Sequence, residues 1–382
     1  MKILYIAHSG GLQGAGIALL NIVKGGAKLG ITPIVVLPNK GEMYNKLQEM
    51  GVSAYVFPYR MDVYPSKQTL RDIVLYLPKL VYWLILRIWA EYRIALIVKK
   101  EKVSIIHTNT SVIHWGSKVA KKLSIPHVWH IRECQDVGLN YHPIGGMCKL
   151  ILAMGSPHNN CVAITKAVFE HHCLNINKDC VIYDGVFSEA SVNQQIDICK
   201  DNYLLYVGVL SKHKGVFEII DAFSSIVHKH PNTELWLAGV DCDNIVDYAE
   251  TLQCRDKIKL LGFRKDVYTL MQHAKAIIVA SYFEGFGFIT AEAMINGCLV
   301  IGRNTGGTKE QFDVGLQQVK NEIALRFNNQ DELAMQMDYA CNINDKILHN
   351  ILESAKSVAA RYTIENNTEA LCNLYKLLIY EN

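Results

Sequence analysis

Hydrophobic residues in this chain gather into short runs separated by longer segments of helical period. Residues 2–7 form an apolar run that ends at Gly10 and Gly11, and a helical pattern follows through Leu29. Runs at 34–37, 54–57, 104–107 and 128–131 repeat the arrangement, with Gly, Pro or Asn or a helical stretch between them. Short β-type runs alternating with helices predict parallel strands joined by crossover helices.

The pattern restarts in the second half. A strand at 203–207 and a helix at about 216–229 are followed by runs at 234–238, 258–260, 276–280 and 299–302. Two βα arrays in series predict an α/β protein of two doubly wound, Rossmann-like domains. The expected divisions are a first domain at 1–185, an interdomain linker at 186–200, a second domain at 201–362 and a closing helix within 363–382. Ligands of such sheets bind beyond the carboxyl ends of the strands, and two facing sheets make a cleft. Solenoid repeats and low-complexity tracts are not seen.

One segment departs from this plan. Residues 70–100 have a helical period and carry Tyr76, Tyr82, Trp83, Trp89 and Tyr92. On a helical wheel Asp72, Lys79, Arg87, Glu91 and Arg93 fall within roughly 160° of arc, and most of the rest is Leu, Ile, Val, Trp and Tyr. Pro78 would kink or restart the helix near its beginning. Aromatic residues beside basic ones suit a helix lying on a membrane surface. The competing expectation is an ordinary domain helix whose apolar face packs on the sheet.

Composition sharpens this reading. The 382 residues are 50% hydrophobic and carry a formal net charge of +3, too balanced for a dedicated nucleic-acid binder. The balance is uneven along the chain: residues 1–190 hold 21 Lys and Arg against 12 Asp and Glu, and residues 191–382 hold 18 against 24. The front half is thus +9 and the back half −6. Eleven cysteines, without a CxxC pair, read as reduced thiols of a cytoplasmic protein. Met1-Lys2 leads directly into a strand pattern, and neither a signal peptide nor a simple membrane span is expected.

The sharpest chemical feature is Ser281-Tyr-Phe-Glu284-Gly-Phe286-Gly287-Phe288-Ile-Thr-Ala-Glu292, which follows a strand and opens a helix. Its glycines let a ligand approach the backbone, and the helix start directs amides and partial positive charge into the same space. The spacing of Glu284 and Glu292 disfavours a proton-sharing dyad and favours two separate hydroxyl acceptors. The alternative is a pair of solvated or helix-capping glutamates.

The other candidates are loops at strand ends. Gly10-Gly11-Leu-Gln-Gly14-Ala-Gly16 lacks the last glycine of a dinucleotide fingerprint, and its second strand ends in Leu37-Pro38-Asn39 without an acid. An NAD site is therefore disfavoured, and a phosphate- or sugar-contacting loop or a plain tight turn is left. The loop 208–215 offers Lys212 and Lys214, compact cations for a phosphate oxygen. His127 and His130 face opposite sides of a strand, so no metal site is expected there. Asp241-Cys-Asp243 is read as a turn.

Together these segments resemble glycosyltransferase family 4, the retaining transferases of two-domain GT-B fold. The residues 284–292 match that family's Glu-x7-Glu signature, with Gly297, Gly306-Gly307 and Glu310 following in order. Residues 204–215 look like its phosphate loop, and 181–186 like its interdomain segment. Gly10-Gly11, His107-x-Asn109 and 126–130 fall in the family's order.

The resemblance implies an acceptor-side first domain and a donor-binding second domain facing across a cleft. It implies that Glu284 holds donor-sugar hydroxyls beside the Phe286, Gly287 and Phe288 backbone, and that Glu292 accepts from the ribose. Lys214, with the Gly10 and Gly11 amides, would neutralise the diphosphate, and His130 would contact the donor sugar near the reacting carbon. No metal or other cofactor is implied. Fixed donors and a cation aimed at a leaving diphosphate lower the barrier without a metal. Val209 stands where the family usually has Arg, so one diphosphate contact is missing or is supplied by Lys212 or Arg264. Tyr183-Asp184-Gly185-Val186 replaces Pro-Asn-Gly-Val, and Ala280 stands where Pro is common.

The expected activity is a hexosyltransferase-type glycosyltransferase. It would move a sugar from a nucleotide diphosphate sugar to a glycan or lipid-linked glycan in bacterial surface polysaccharide assembly. Its setting would be cytoplasmic, with the basic, aromatic front half peripheral on the inner-membrane face and no nucleic-acid partner. The alternatives are a nucleotide-sugar epimerase of the same architecture and a non-catalytic nucleotide-sugar-binding protein.

Overall fold

The computed structural model describes residues 1–67, 69–138, 141–193 and 196–380. By contacts the chain divides into two units, Met1–Gly185 with Ile364–Asn382, and Val186–Thr363. Residues 186–200 cluster with the second unit and the terminal helix with the first.

In the first unit the apolar runs become β1 (Lys2–Ile6), β2 (Thr32–Leu37), β3 (Ser53–Val56), β4 (Ile105–Thr108), β5 (His127–Ile131), β6 (Asn159–Ala163) and β7 (Cys180–Val181). They form one parallel sheet in the order β3-β2-β1-β4-β5-β6-β7. Alternate residues of each strand point to opposite faces, so β1 sends Ile3 and Tyr5 into one core and Leu4 and Ile6 into another. Both faces are covered by helices, which is why these strands read as unbroken apolar runs.

The terminal helix Ile364–Tyr380 belongs to this unit and packs on the helix Ala15–Lys28. It buries Leu371, Cys372, Tyr375 and Leu378 in the core that holds Tyr5. A fully buried Leu is worth roughly 1.5–3 kcal/mol, so the tail is a structural part of the first unit.

The second unit repeats the arrangement with β8 (Tyr203–Val207), β9 (Glu234–Ala238), β10 (Ile258–Gly262), β11 (Ala276–Val279), β12 (Val300–Arg303) and β13 (Leu325–Phe327). Their order is β10-β9-β8-β11-β12-β13, again parallel. Each unit is thus a doubly wound α/β sheet, as the alternating runs predict. In each the strand order reverses at one place, between β1 and β4 and between β8 and β11. The carboxyl ends at such a reversal are where ligands bind.

The segment from residue 70 forms two helices, Leu70–Val74 and Tyr76–Glu101, with Pro78 in the first turn of the second. A proline is tolerated there because the first turn has no internal partner for its N–H. The long helix buries only one stripe, Leu86, Ala90, Ile94, Ile97 and Val98. Arg87 turns toward the body of the unit, 3.8 Å from the buried Asp62 and 3.0 Å from Glu91, and Lys79 pairs with Asp72 of the preceding helix at 2.7 Å. The opposite face is apolar and open, with Leu77 70%, Ile88 60% and Tyr92 59% exposed. Packing on the sheet therefore accounts for one stripe of this helix and leaves a larger apolar face uncovered. No helix among the described residues is long and apolar enough to cross a membrane.

Candidate active site

In the second unit, the loops after β8 and β11 lie side by side at the strand reversal. The first loop closes with a single 3-10 turn, Lys212–Lys214, and Gly215 follows in the left-handed region at φ 72. A Cβ on Gly215 would lie 2.4 Å from the Ala280 carbonyl oxygen, so only glycine lets this loop sit on the end of β11. That contact aims Lys214 at the second loop, where its Nζ donates to Glu284 Oε1 at 2.6 Å. Both side chains are partly open to solvent.

The second loop is braced from behind. Gly307 donates its amide to the Glu284 carbonyl at 2.7 Å, and a Cβ on Gly307 would lie 2.3 Å from the Phe286 oxygen. Gln311 donates to the Phe286 and Gly287 carbonyls at 2.7 and 3.0 Å. Arg303, at the end of β12, donates to the Ala280 carbonyl, pairs with Glu218 and lies over the Tyr282 ring. The helix Phe288–Ile295 starts at Gly287, so its first amides open onto this loop.

Glu292, one turn into that helix, accepts from the Tyr268 hydroxyl at 3.0 Å. Burial pushes its carboxyl up to about 7, opposed by the Tyr268 hydrogen bond. Glu284 and Glu292 thus have different partners, and neither is a helix cap. Of the residues proposed to replace the family's arginine, Arg264 is held by both oxygens of Asp266 at 2.8 and 2.5 Å. Lys212 uses its amide to bond Asp243, and Val209 is exposed. Asp241 accepts from the amides of Asp243, Ile245 and Val246, which makes the acidic triplet a turn.

In the first unit, Gly10 and Gly11 follow β1 at the other reversal. The Gly11 amide is already bound to Ser9 Oγ at 3.1 Å, and the Gly10 carbonyl accepts from the Met43 amide. In this conformation the Gly11 amide is bonded within its own loop. A Cβ on Gly10 would meet the Asn39 carbonyl oxygen at 2.6 Å, so close packing accounts for that glycine.

His127 and His130 do face opposite sides of β5. His127 bonds Thr108 and Asn159 at 2.9 and 2.8 Å, whereas His130 points toward His107 and the terminal helix. His130 is fully buried and stands in a hydrogen-bonded row. Tyr375 Oη lies 2.6 Å from His107 Nδ1, His107 Nε2 lies 3.2 Å from His130 Nδ1, and Arg132 Nη2 lies 3.3 Å from the same Nδ1. Arg132 pairs with the buried Asp184 at 2.5 Å and bonds the Asn109 carbonyl and side-chain oxygens.

This row fixes a tautomer. A guanidinium can only donate, so His130 Nδ1 accepts, and its proton sits on Nε2. His107 can then donate from Nε2 and accept the Tyr375 hydroxyl at Nδ1. Burial, followed by the Arg132 charge, holds both imidazoles well below the usual histidine range. His130 Nε2 has no protein partner among the described residues. The arrangement can therefore donate a hydrogen bond at Nε2 and is poorly suited to take up a proton.

Sequence reasoning missed Tyr268, Arg303 and Tyr375. Each acts on a distant segment, and nothing in its local spacing marks it. The Arg132–Asp184 pair, 52 residues apart, stood beside two quoted motifs and was equally hidden.

The chain is similar to known glycosyltransferases. The family model described as "Glycosyl transferases group 1" matches residues 189–358, which is most of the second unit. An uncharacterised glycosyltransferase of Methanocaldococcus jannaschii is 27% identical over 305 residues, covering 72% of this chain and 76% of that protein. A Campylobacter jejuni enzyme named N-acetylgalactosamine-N,N'-diacetylbacillosaminyl-diphospho-undecaprenol 4-alpha-N-acetylgalactosaminyltransferase is 29% identical over 143 residues, 35% of this chain and 38% of its own. Among solved structures, Anabaena HepE in complex with UDP superposes with a TM-score of 0.77 at 18% identity, covering 99% of this chain and 100% of that one. That likeness places the chain in the GT-B fold.

Proposed function

From the premise that this chain is a glycosyltransferase carrying a group 1 domain, we propose that it transfers a sugar, with retention, from a nucleotide diphosphate sugar to a lipid-linked glycan at an anionic membrane surface. The observation that carries the reading is the pairing of Lys214 with Glu284 at the strand reversal of the second unit. A cation and a hydroxyl-accepting carboxylate, each set by a loop braced from the sheet, suit the two ends of a sugar diphosphate. HepE is described in complex with UDP, which supports a uridine nucleotide as the first donor to try.

In the proposed reaction the sugar diphosphate displaces the Lys214–Glu284 pair. Lys214 turns to the diphosphate, and Glu284 accepts from sugar hydroxyls. Glu292 accepts from the ribose. The bond from the anomeric carbon to the diphosphate breaks, and the departing oxygen gathers negative charge. Fixed donors and the Lys214 ammonium stabilise that charge, with no divalent metal required. The acceptor hydroxyl attacks from the face the diphosphate leaves, and its proton passes to the diphosphate oxygen. The neutral His130 donates from Nε2 to a substrate hydroxyl and takes no proton.

The membrane part of the reading rests on the helix Tyr76–Glu101. Its open apolar face is edged by Arg60, Arg93 and Lys100, which lie over the Tyr82, Trp89 and Tyr55 rings. Apolar burial with basic residues at the rim is how interfacial helices bind anionic lipid. The undecaprenol-linked acceptor in the Campylobacter enzyme's name supports a lipid-linked acceptor.

The test is turnover of a panel of UDP-, GDP- and ADP-sugars with anionic vesicles carrying polyprenyl-linked glycan. Release of nucleoside diphosphate together with a lengthened glycan, unchanged by added Mg2+ or Mn2+, is expected. Conversion of the donor without acceptor would point to an epimerase. Tight donor binding with no product across the panel would contradict transfer.

A further inference from the structure

Away from these residues, three donor side chains from two segments converge. Cys134 lies just beyond β5, and His171 and His172 end the helix Lys166–His171, where His172 is the cap residue. One ligand atom from each falls within 4.8 Å of the others. Cys134 and His172 are buried, and the two imidazoles meet edge to face with centroids 5.1 Å apart.

One nitrogen of each ring already has a hydrogen-bond partner. His172 Nε2 lies 2.9 Å from the Glu133 carbonyl oxygen, so it carries the proton, and Nδ1 presents a lone pair. His171 Nε2 lies 2.7 Å from Asp136 Oδ1, which leaves its Nδ1 as the ligand atom. A carbonyl or carboxylate behind a histidine is the usual support of a metal-bound imidazole, since it fixes the tautomer and raises the basicity of the ligating nitrogen. His172 Nδ1 is buried with no protein partner among the described residues. Leaving such an atom unsatisfied is unfavourable.

The surrounding charge favours a cation. The carboxylates of Asp136 and Glu133 set a negative field at Cys134. The same negative field draws in a positive ion, which releases the thiol proton when it binds. One thiolate and two imidazoles are a borderline-soft set. They suit Zn2+ in tetrahedral coordination and exclude Mg2+ and Ca2+, which prefer oxygen.

We infer that Cys134, His171 and His172 form a zinc site that clamps the loop after β5 to the end of the helix Lys166–His171, with water in the fourth position. It lies apart from the donor chemistry, and its fourth position is open to water. Sequence alone hid it because the ligands lie 37 residues apart with no CxxC or HxxxH spacing.

The test uses the full chain, stripped with chelator and titrated with ZnCl2 and then CoCl2. The expected results are one metal per chain, a Tm that rises with zinc, and a thiolate-to-cobalt charge-transfer band. Cys134→Ser should abolish the band and His172→Ala should weaken zinc binding at least about tenfold. Cys173→Ser changes the exposed neighbouring thiol and should retain both. Far-UV circular dichroism of each variant confirms folding, and His171→Asn, at the half-buried rim, offers a gentler lesion if His172→Ala does not fold. Absence of metal uptake by the stripped chain would overturn the site. So would uptake unaffected by Cys134→Ser, or a band lost in Cys173→Ser and kept in Cys134→Ser.

Discussion

Glu292 is a carboxylate whose burial against the helix Phe288–Ile295 lifts it to about 7, with only the Tyr268 hydroxyl opposing. The sign of its effect follows from linkage. The folded carboxyl holds its proton more tightly than the unfolded one. Its contribution to stability is full below the ordinary value of 4.5 and declines as pH rises toward 7. Binding runs the other way, because the ionised form is the better acceptor for ribose hydroxyls. Donor affinity measured by calorimetry should therefore rise with pH through about 7 and lose that inflection in Glu292→Gln. His130 gives the complementary expectation. Burial and Arg132 keep it neutral, so the kcat profile should show no histidine inflection. Tyr375→Phe removes the hydroxyl that holds His107. It should lower kcat more than it raises donor KM, and steady-state kinetics with both substrates would separate the two. What could be read at this scale from sequence was residue type at a strand end: Lys214, Glu284 and Glu292 stand out because glycines and a helix start surround them. The Lys214–Glu284 contact, the Ser9 hydroxyl on the Gly11 amide and the His107–Tyr375 bond could not be read, because each depends on loop closure or on a chain separation of up to 268 residues.

At the scale of elements, the helix Tyr76–Glu101 carries the clearest contrast between its two faces. Ile94 is fully buried and Ile88 mostly exposed, although both are isoleucines of one helix. Ile94→Ala should cost about 2–5 kcal/mol of unfolding free energy in urea. Ile88→Glu should change stability by no more than about 0.5 kcal/mol. The reverse order holds for membranes. A paired Val81→Glu and Ile88→Glu variant should lose flotation with anionic vesicles while keeping donor binding, and retained flotation would return this face to an unexplained surface. The strand runs and this helix were legible because period and apolar character are local properties. Which face the helix would bury was not. Arg87, in the charged arc, faces the buried Asp62, and the larger apolar side stays in the open. The terminal helix was legible as a helix, but its membership of the first unit comes from packing on the helix Ala15–Lys28, where Gly25 leaves room for Thr368.

For the whole molecule, two parallel sheets and their strand orders explain why the chain's chemistry sits where it does. Alternating runs fixed neither order, yet the reversals between β1 and β4 and between β8 and β11 place the glycine loop and the Lys214–Glu284 pair at carboxyl ends. The charge division acquires a meaning at this scale as well. The acidic half carries Lys214, Glu284 and Glu292, and the basic half carries the open apolar helix. The central claim is that Lys214 and Glu284 serve the transition state of glycosyl transfer. Single-turnover transfer from a saturating nucleotide sugar to vesicle-borne glycan, compared among wild type, Lys214→Ala and Glu284→Ala, tests it most directly. A loss of roughly 10²–10³-fold in rate in each variant, with the donor still bound and the fold intact, is the predicted result. Wild-type rates in either variant would contradict it.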